Sequence, residues 1–164
     1  MDRSTAAPAR GRLHSDSPGR TRAIGRALGR DAGPGTFIAL VGELGAGKTQ
    51  LAKGVAEGLD VSTVVNSPTF VLMNEHVGRL RLYHVDAYRL AQPEDAAEAG
   101  LIDERQADGV VVLEWADRLD GWLPADRIEI AITADDPDPS VRTLRWTARG
   151  DAHARLADAA LGRP

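Results

Sequence analysis

The residues of this chain with the clearest chemical potential lie in the stretch Gly42-Glu-Leu-Gly-Ala-Gly-Lys-Thr49, which has the spacing of a phosphate-binding P-loop. Glycines allow such a loop to present successive backbone N–H groups to an anion, because no Cβ blocks the approach. A helix that begins near Lys48 directs its positive end at the same point. In this pattern the lysine reaches the β- and γ-phosphates, and the hydroxyl of Thr49 ligates Mg2+. We therefore predict that the loop binds phosphate groups.

The residues on either side of the loop have the patterns of the strand and the helix that it needs. Residues 37–41 form an uninterrupted apolar run, as in a strand that is buried on both faces. Beyond the loop, Leu51, Val55 and Leu59 recur at helical spacing. The alternative is a glycine-rich turn that binds nothing, and the flanking strand and helix argue against it.

Two acidic residues are candidates to complete the site. A nucleotidase with this loop needs a carboxylate at the end of a neighbouring buried strand to hold Mg2+. Glu114 follows the apolar run 110–113, and Asp86 closes the alternating run 80–85. Because ligands bind at the carboxyl ends of the strands in such sheets, the position favours a function for both, and more strongly for Glu114. The alternative for each is a strand-end acid that merely meets solvent.

The remaining polar and aromatic residues narrow the choice of ligand. Neither of the two asparagines, Asn66 and Asn74, is followed by Lys-x-Asp, the pattern that reads guanine in a GTPase, so adenine is the expected base. We expect Trp115 to pack at the end of its strand rather than to stack on a base. The four histidines show no paired metal spacing.

Length and composition predict the class of protein and its compartment. With 164 residues, the chain has the length of one domain. It contains no cysteine, which fits a reducing compartment. It also lacks an apolar run of the roughly 18 residues that a membrane span needs, and its N-terminus has no apolar segment typical of a secretory signal. We expect a cytoplasmic protein.

The charge of the chain is distributed unevenly along the sequence. Residues 1–30 contain seven arginines and two aspartates, a charge of +5, so the total of −4 leaves −9 for the remainder. A basic arm on an acidic body can contact RNA. Because the first sixteen residues contain no aromatic side chain that could stack on bases, we favour the alternative, a solvated and disordered tail over residues 1–16.

The order of the expected elements predicts an α/β fold. Ser17-Pro18 is typical of a helix start, and two strand-like runs flank Gly78-Arg79 as in a β-hairpin. We expect a P-loop NTPase-like three-layer fold, with a mixed sheet that is parallel at its centre, and a single domain over residues 17–164. The other expected elements are a short helix over 93–99, strands over 127–132 and 142–147, and a terminal helix over 152–161.

Four segments of the chain together resemble one known family. They are Gly42–Thr49, Ser67-Pro-Thr-Phe70, Tyr83-His-Val-Asp-Ala-Tyr-Arg-Leu90 and Glu114-Trp115, in order and at sensible spacings. This combination resembles the TsaE (YjeE) family, the small ATPase of bacterial tRNA threonylcarbamoyladenosine synthesis. The resemblance spans residues 17–147, and the Arg-rich segment before residue 15 lies outside the family pattern.

The resemblance implies a role for individual residues. Lys48 and Asp86 are implied in hydrolysis, and Thr49 and Glu114 in binding Mg2+. Arg142 matches a family arginine that approaches the nucleotide. The segments implied to switch are Ser67, Pro68, Thr69 and Phe70, and the stretch from His84 to Arg89. The residues implied to bind the phosphates of ATP are Glu43, Leu44, Gly45, Ala46, Gly47, Lys48 and Thr49.

The resemblance also implies partners. In the family, the ATPase binds the TsaB–TsaD heterodimer, which modifies tRNA, and ATP hydrolysis supports repeated turnover. Contact with tRNA is implied to be indirect, through that complex, without contact to DNA or a membrane. Two alternatives remain open, a P-loop small-molecule or nucleoside kinase and a module that binds ATP without hydrolysing it. Residues 91–108 contain one arginine, Arg105, which argues against the arginine-rich lid of a kinase.

Overall fold

A computed structural model describes residues 7–43, 45–66, 73–90, 92–95, 104–135, 138 and 140–162 of the chain. Within these ranges, ten α-helices and β-strands follow one another along the chain. They are β1 (Ala9–Ser15), α1 (Pro18–Asp31), β2 (Thr36–Gly42), α2 (Lys48–Gly58), β3 (Met73–His76), β4 (Leu82–Asp86), β5 (Val110–Glu114), β6 (Arg127–Ala134), β7 (Arg142–Arg149) and α3 (Asp151–Leu161). None of these helices is long and apolar enough to cross a membrane.

The seven strands form one mixed sheet, in the order β1-β7-β6-β2-β5-β4-β3. The central strand β2 runs parallel to both β5 and β6, and β4 runs parallel to β5. The outer pairs β1–β7, β6–β7 and β3–β4 are antiparallel. The predicted α/β class with a parallel centre is therefore confirmed.

The two faces of the sheet carry separate hydrophobic clusters. On one face, the three helices pack against even-numbered residues of β2, β5 and β6, such as Ile38, Val112 and Ile130. On the other face, Phe37, Val111 and further residues of β2, β4 and β5 pack against apolar side chains between residues 87 and 123. The helix-covered face is the one that carries the candidate site.

The first strand corrects an expectation. The sequence predicts a disordered tail over residues 1–16, and this prediction is wrong for residues 9–15, which form β1 at the edge of the sheet. Leu13 lies on the helix-covered face opposite Leu144, whereas Arg10 and Arg12 are exposed on the other face. Gly11 leaves room for the ring of Trp146, since a Cβ at that position would lie 2.4 Å from it. Long-range pairing with β7 orders a segment whose own composition is that of a tail.

The predicted start of α1 and the predicted hairpin are confirmed. The Ser17 side chain accepts a hydrogen bond from the backbone N–H of Arg20 at 3.0 Å, with Pro18 in the first turn. Strands β3 and β4 pair antiparallel, although β4 is buried on both faces rather than alternating. Most of the predicted helix over 93–99 lies outside the described residues, as do residues 70–72 at the start of the predicted hairpin.

Helices α1 and α2 pack unusually closely through glycines. A Cβ at Gly54 of α2 would lie 2.0 Å from the carbonyl oxygen of Arg22, and one at Gly25 of α1 would lie 2.2 Å from that of Leu51. Next to this contact, Glu57 pairs with Arg22 and Arg26 across the two helices. Backbone contact of this kind fixes the position of α2, and with it the position of Lys48 and Thr49 at its first turn.

The contact between the helices generates a prediction about stability. Gly54→Ala places a methyl group against backbone that cannot yield without moving α1, so we expect the free energy of unfolding to fall by about 1–3 kcal/mol. Gly19→Ala is the matched control, because a Cβ there meets only the side chain of Ser17 at 3.8 Å. In the control, alanine favours the helix by about 0.5–1 kcal/mol. Urea unfolding of both variants measures the difference, and equal effects would contradict the packing argument.

Candidate functional site

The loop between β2 and α2 has the backbone conformation of a phosphate-binding turn. Strand β2 ends at Gly42, and α2 begins at Lys48. Between them, Gly45 has φ +81° and Gly47 has φ +114°, values that residues with a side chain rarely adopt. The glycines of the motif are therefore needed for the shape of the loop.

Lys48 is the cation of this loop, and it is only 5% exposed. Its Nζ donates hydrogen bonds to the carbonyl oxygens of Gly42 at 2.5 Å and Glu43 at 2.9 Å. The ring of Trp115 lies against the ammonium, with 4.1 Å between Nζ and the ring centroid. Burial lowers the pKa of Lys48, and nearby carboxylates, Glu114 foremost, act in the opposite direction.

Glu114 connects the loop helix to two strands. This side chain is 2% exposed at the carboxyl end of β5. Its Oε1 accepts a hydrogen bond from the Thr49 hydroxyl at 3.1 Å, and its Oε2 lies 2.5 Å from Nε2 of His84 in the neighbouring strand β4. Both contacts form on the helix-covered face. The carboxylate is thus held by groups from α2 and β4.

Asp86 lies beside Glu114, because the two residues are opposite each other in the parallel pair β4–β5. Its Oδ1 accepts a hydrogen bond from the backbone N–H of Tyr88 at 2.9 Å. Burial raises the pKa of Asp86, and the charge of Glu114 raises it further, while the hydrogen bond from Tyr88 and the charges of His84 and Lys48 oppose the shift. Two carboxylates therefore share the edge of the sheet below Lys48.

Trp115 packs at the end of β5, as the sequence analysis predicts, and it has a second contact that was not predicted. The residue has φ +59°, and its ring lies 4.8 Å from the ring of Tyr88 between centroids. The ring also contacts the ammonium of Lys48. The left-handed conformation directs the ring back over the loop, and no spacing in the sequence indicates such a turn.

Arg142 lies on the opposite side of the loop. Its Nε donates a hydrogen bond to the carbonyl oxygen of Ala46 at 3.2 Å, while its Nη1 is buried and has no hydrogen-bond partner among the described residues. Arg142 lines a cavity of about 490 Å3 beside the loop, whose other walls include Trp115 and Asp117. Small-molecule sites typically have volumes of about 300–1,000 Å3.

The structure brings most of the expected site residues to one edge of the sheet. Lys48, Thr49, Asp86 and Glu114 converge there, and Arg142 reaches the loop from β7. Glu43 and Gly45 are exposed on the loop, Ala46 is buried, and Gly47 is half-buried. Arg89 is exposed. Leu44, Ser67, Pro68, Thr69 and Phe70 lie outside the described residues.

Sequence reasoning missed the contact of His84 with Glu114. From the residues themselves no role was assigned to any histidine, and the resemblance placed His84 only in a switch segment. A signal for the contact exists, since His84 lies two residues before Asp86 in β4 and therefore on the same face of the sheet. Interpreting it requires knowing that β4 and β5 are neighbours.

The fold and the loop together define a class of protein: a mixed α/β sheet with a glycine-rich loop of the phosphate-binding type between its central strand and a helix. The model of one family, the threonylcarbamoyl adenosine biosynthesis protein TsaE, matches residues 15–143. The chain belongs to the TsaE family, and it is thus a component of tRNA threonylcarbamoyladenosine biosynthesis.

Individual relatives agree with the family model. The tRNA threonylcarbamoyladenosine biosynthesis protein TsaE of Bacillus subtilis is 38% identical over 143 residues, which cover 87% of this chain and 88% of the relative. The protein of the same name from Treponema pallidum is 40% identical over 121 residues, covering 74% and 90%. The crystal structure of Bacillus subtilis YdiB superimposes with a TM-score of 0.78 at 31% identity, covering 95% of this chain and 97% of that one.

The two neighbouring carboxylates predict a pH-dependent cost to stability. Because folding raises the pKa of Asp86, its ionised form opposes folding. The protonated carboxyl group of Asp86 contributes fully to stability below the unfolded pKa of 3.8. This contribution is lost as the pH rises through the pKa of the folded state. Asp86→Asn keeps the oxygen that accepts from Tyr88, so we expect a higher free energy of unfolding than wild type at pH 7, without divalent cations, and a smaller difference near pH 4.

Asp117→Asn is the matched control for this experiment. Asp117 is an exposed residue at the same edge of the sheet, and its substitution removes the same charge. Urea unfolding at pH 4 and pH 7 measures both variants. A loss of stability at pH 7 in Asp86→Asn, or an equal gain in the control, would contradict the assigned cost.

Proposed function

We propose that this protein binds ATP with Mg2+ and hydrolyses it, as the ATPase of the tRNA threonylcarbamoyladenosine machinery. The observation that carries the proposal is the convergence of Lys48, Thr49 and Glu114 beside the glycine-rich loop. A point cation, a hydroxyl and a buried carboxylate at one sheet edge are the groups that nucleotide hydrolysis requires. Membership of the TsaE family supports the same function.

The residues of the loop fit the phosphates of a nucleotide. Gly45 and Gly47 place no side chain at their two positions of the turn. The space next to Gly45 is open, since a Cβ there would meet no atom within 4 Å. Lys48 donates to carbonyl oxygens of its own loop, contacts that phosphate oxygens would replace with stronger, charge-assisted ones. Arg142, whose Nη1 lacks a partner among the described residues, lines the cavity beside the loop and adds positive charge there.

Thr49 and Glu114 fit Mg2+, which prefers oxygen ligands and takes one or two carboxylates together with substrate phosphates. The hydroxyl and the carboxylate already lie 3.1 Å apart. When bound, the ion supplies positive charge that stabilises developing charge on the phosphate oxygens. His84 holds the second carboxylate oxygen, so it orients Glu114.

We assign Asp86 to hydrolysis, because a half-buried carboxylate beside Glu114 can orient a water molecule toward the site. Adenine is the proposed base. We also propose that the segment from His84 to Arg89 responds to the nucleotide, together with Ser67, Pro68, Thr69 and Phe70. His84 contacts Glu114 directly, so a movement of the Glu114 carboxylate would be transmitted to β4.

The proposed partner is the TsaB–TsaD heterodimer, and the proposed location is the cytoplasm. We find no dedicated general base among the described residues around Lys48 and Thr49 that would make the isolated chain a fast ATPase. Switch proteins with this loop commonly receive part of their transition-state stabilisation from a partner. ATP hydrolysis here would support repeated turnover of the partner enzyme.

The first test of the proposal concerns Lys48. Lys48→Ala removes the cation that faces the transferred phosphate, and we expect the steady-state rate of phosphate release to fall by about 10^2–10^3. The chain's only other lysine, Lys53, lies one turn further along α2, and Lys53→Ala is the matched control, for which we expect a rate close to wild type.

The products of this assay also separate the ATPase from a kinase. Released inorganic phosphate is expected with ATP and Mg2+ alone, and transfer to an added acceptor without release would favour the kinase. Wild-type turnover in Lys48→Ala would refute the assigned site.

The second test concerns the partners. We expect slow hydrolysis by the isolated chain and faster hydrolysis when TsaB–TsaD is added, because a group supplied by a partner can accelerate phosphoryl transfer by ~10^3–10^5. Steady-state phosphate release with and without the heterodimer measures the effect. The Lys48→Ala variant mixed with the heterodimer shows how much hydrolysis the partners contribute themselves. Equal rates for the wild type alone and in the mixture would exclude this role of the partners.

A further inference from the structure

One half of the sheet has a face that no described helix covers. This half consists of β1, β7 and β6. The even-numbered residues of β7 and β6, such as Trp146 and Ile130, point to the helices. The residues that alternate with them form the opposite face, which is rich in arginine. We call this surface the basic sheet face, and its arginines are Arg10, Arg12, Arg127, Arg145 and Arg149.

The arginines of the basic sheet face are poorly neutralised by the described part of the chain. Arg127 pairs with Glu129, the one acidic residue among the paired positions on this face of the three strands. Asp135, directly after β6, contacts Thr143 and His14 of this face rather than an arginine. Arg12 and Arg145 are exposed and lie directly opposite each other in the β1–β7 pair. Neither side chain forms a hydrogen bond or an ion pair with any described residue. Like charges directly opposite across two strands destabilise a sheet, so the fold alone gives no reason for this pair.

The residue types of the basic sheet face indicate which class of partner it binds. Interfaces between proteins usually contain a buried apolar or aromatic anchor, and the described residues of this face are arginine, threonine, alanine, histidine and glutamate. Interfaces with nucleic acid are instead polar and strongly positive. Arginine is suited to phosphate, because its planar guanidinium donates two parallel hydrogen bonds to the anion.

We propose that the basic sheet face binds the phosphate backbone of structured RNA. The family to which the chain belongs acts in tRNA modification, so RNA is the relevant polyanion. The contact is direct, unlike the indirect contact that the resemblance to the family implies. Because the face offers no aromatic side chain, it recognises backbone and shape rather than bases.

The basic sheet face is separate from the proposed ATPase site, and its RNA binding does not depend on hydrolysis. The two surfaces are nevertheless joined by β7. Arg142, at the start of this strand, lines the cavity beside the loop, and Arg145 lies three residues further along the strand. The two residues alternate in the strand, so β7 carries one arginine toward each of the two surfaces.

The test is binding of a fluorescently labelled tRNA transcript to the full chain, measured by anisotropy over a range of salt concentrations. Arg12→Ala/Arg145→Ala is expected to raise the Kd by about tenfold or more and to lower the slope of log K against log salt by about 2. The matched control is Arg20→Ala/Arg30→Ala, which removes the same charge from exposed positions of α1 on the opposite side of the sheet. We expect its Kd to stay close to that of the wild type.

A second variant separates binding from folding. Arg12→Glu places opposite charges across β1 and β7, so we expect a melting temperature equal to or above that of the wild type, together with weaker RNA binding. Basal ATP hydrolysis should be unchanged in each variant of the basic sheet face. Equal losses of RNA affinity in the two double variants, or no binding by the wild type at 50 mM salt, would overturn the proposal. It would also be overturned if the substitutions weakened docking to TsaB–TsaD and left RNA affinity unchanged.

Discussion

The buried carboxylate of Glu114 is the constraint on which the candidate site depends. Removing a carboxylate from water costs several kcal/mol unless its oxygens are paired. Thr49 from α2 and His84 from β4 occupy the two oxygens of this side chain, which itself ends β5. One charged group thus fixes the relative positions of two parallel strands and the helix after the loop. The same contacts orient Glu114 toward the first turn of α2, where the proposed Mg2+ would bind.

The glycine contact between α1 and α2 also fixes the position of α2. A site that holds a phosphate must keep its loop and its helix within a fraction of an ångström. Backbone packing at Gly25 and Gly54 achieves this better than flexible side chains could, since there is no rotamer to change. In isolation the glycines weaken both helices, and tertiary contact offsets that loss. The salt bridges of Glu57 to α1 add to an interface that the glycines already determine.

The sequence allowed prediction of those features that rest on local patterns. The loop, its strand and the position of Glu114 at a strand end follow from spacing and from the rule that ligands bind at carboxyl ends. Strand β1 could not be predicted, because Arg10 and Arg12 alternate with small residues and the partner strand β7 is about 130 residues away. The contact of Trp115 with Lys48 depends on a left-handed backbone turn that no residue type in the segment demands. What escaped prediction was long-range pairing or single dihedral angles, and both are set by the assembled sheet.

The uneven distribution of charge along the sequence becomes an uneven distribution of charge over the folded protein. The arginines that the structure describes between residues 7 and 30 divide between two elements, β1 and α1, with different neighbours. On α1, Arg22 and Arg26 share an ion pair with Glu57, whereas on β1, Arg12 lies opposite another arginine. Acidic groups gather instead at the carboxyl edge of β4 and β5, around Lys48. A chain that merely needed a soluble edge strand could place glutamate opposite Arg145 and gain stability. Departures from local stability of this kind concentrate at functional surfaces, which is why the arginine pair is best explained by an anion that the fold itself does not contain.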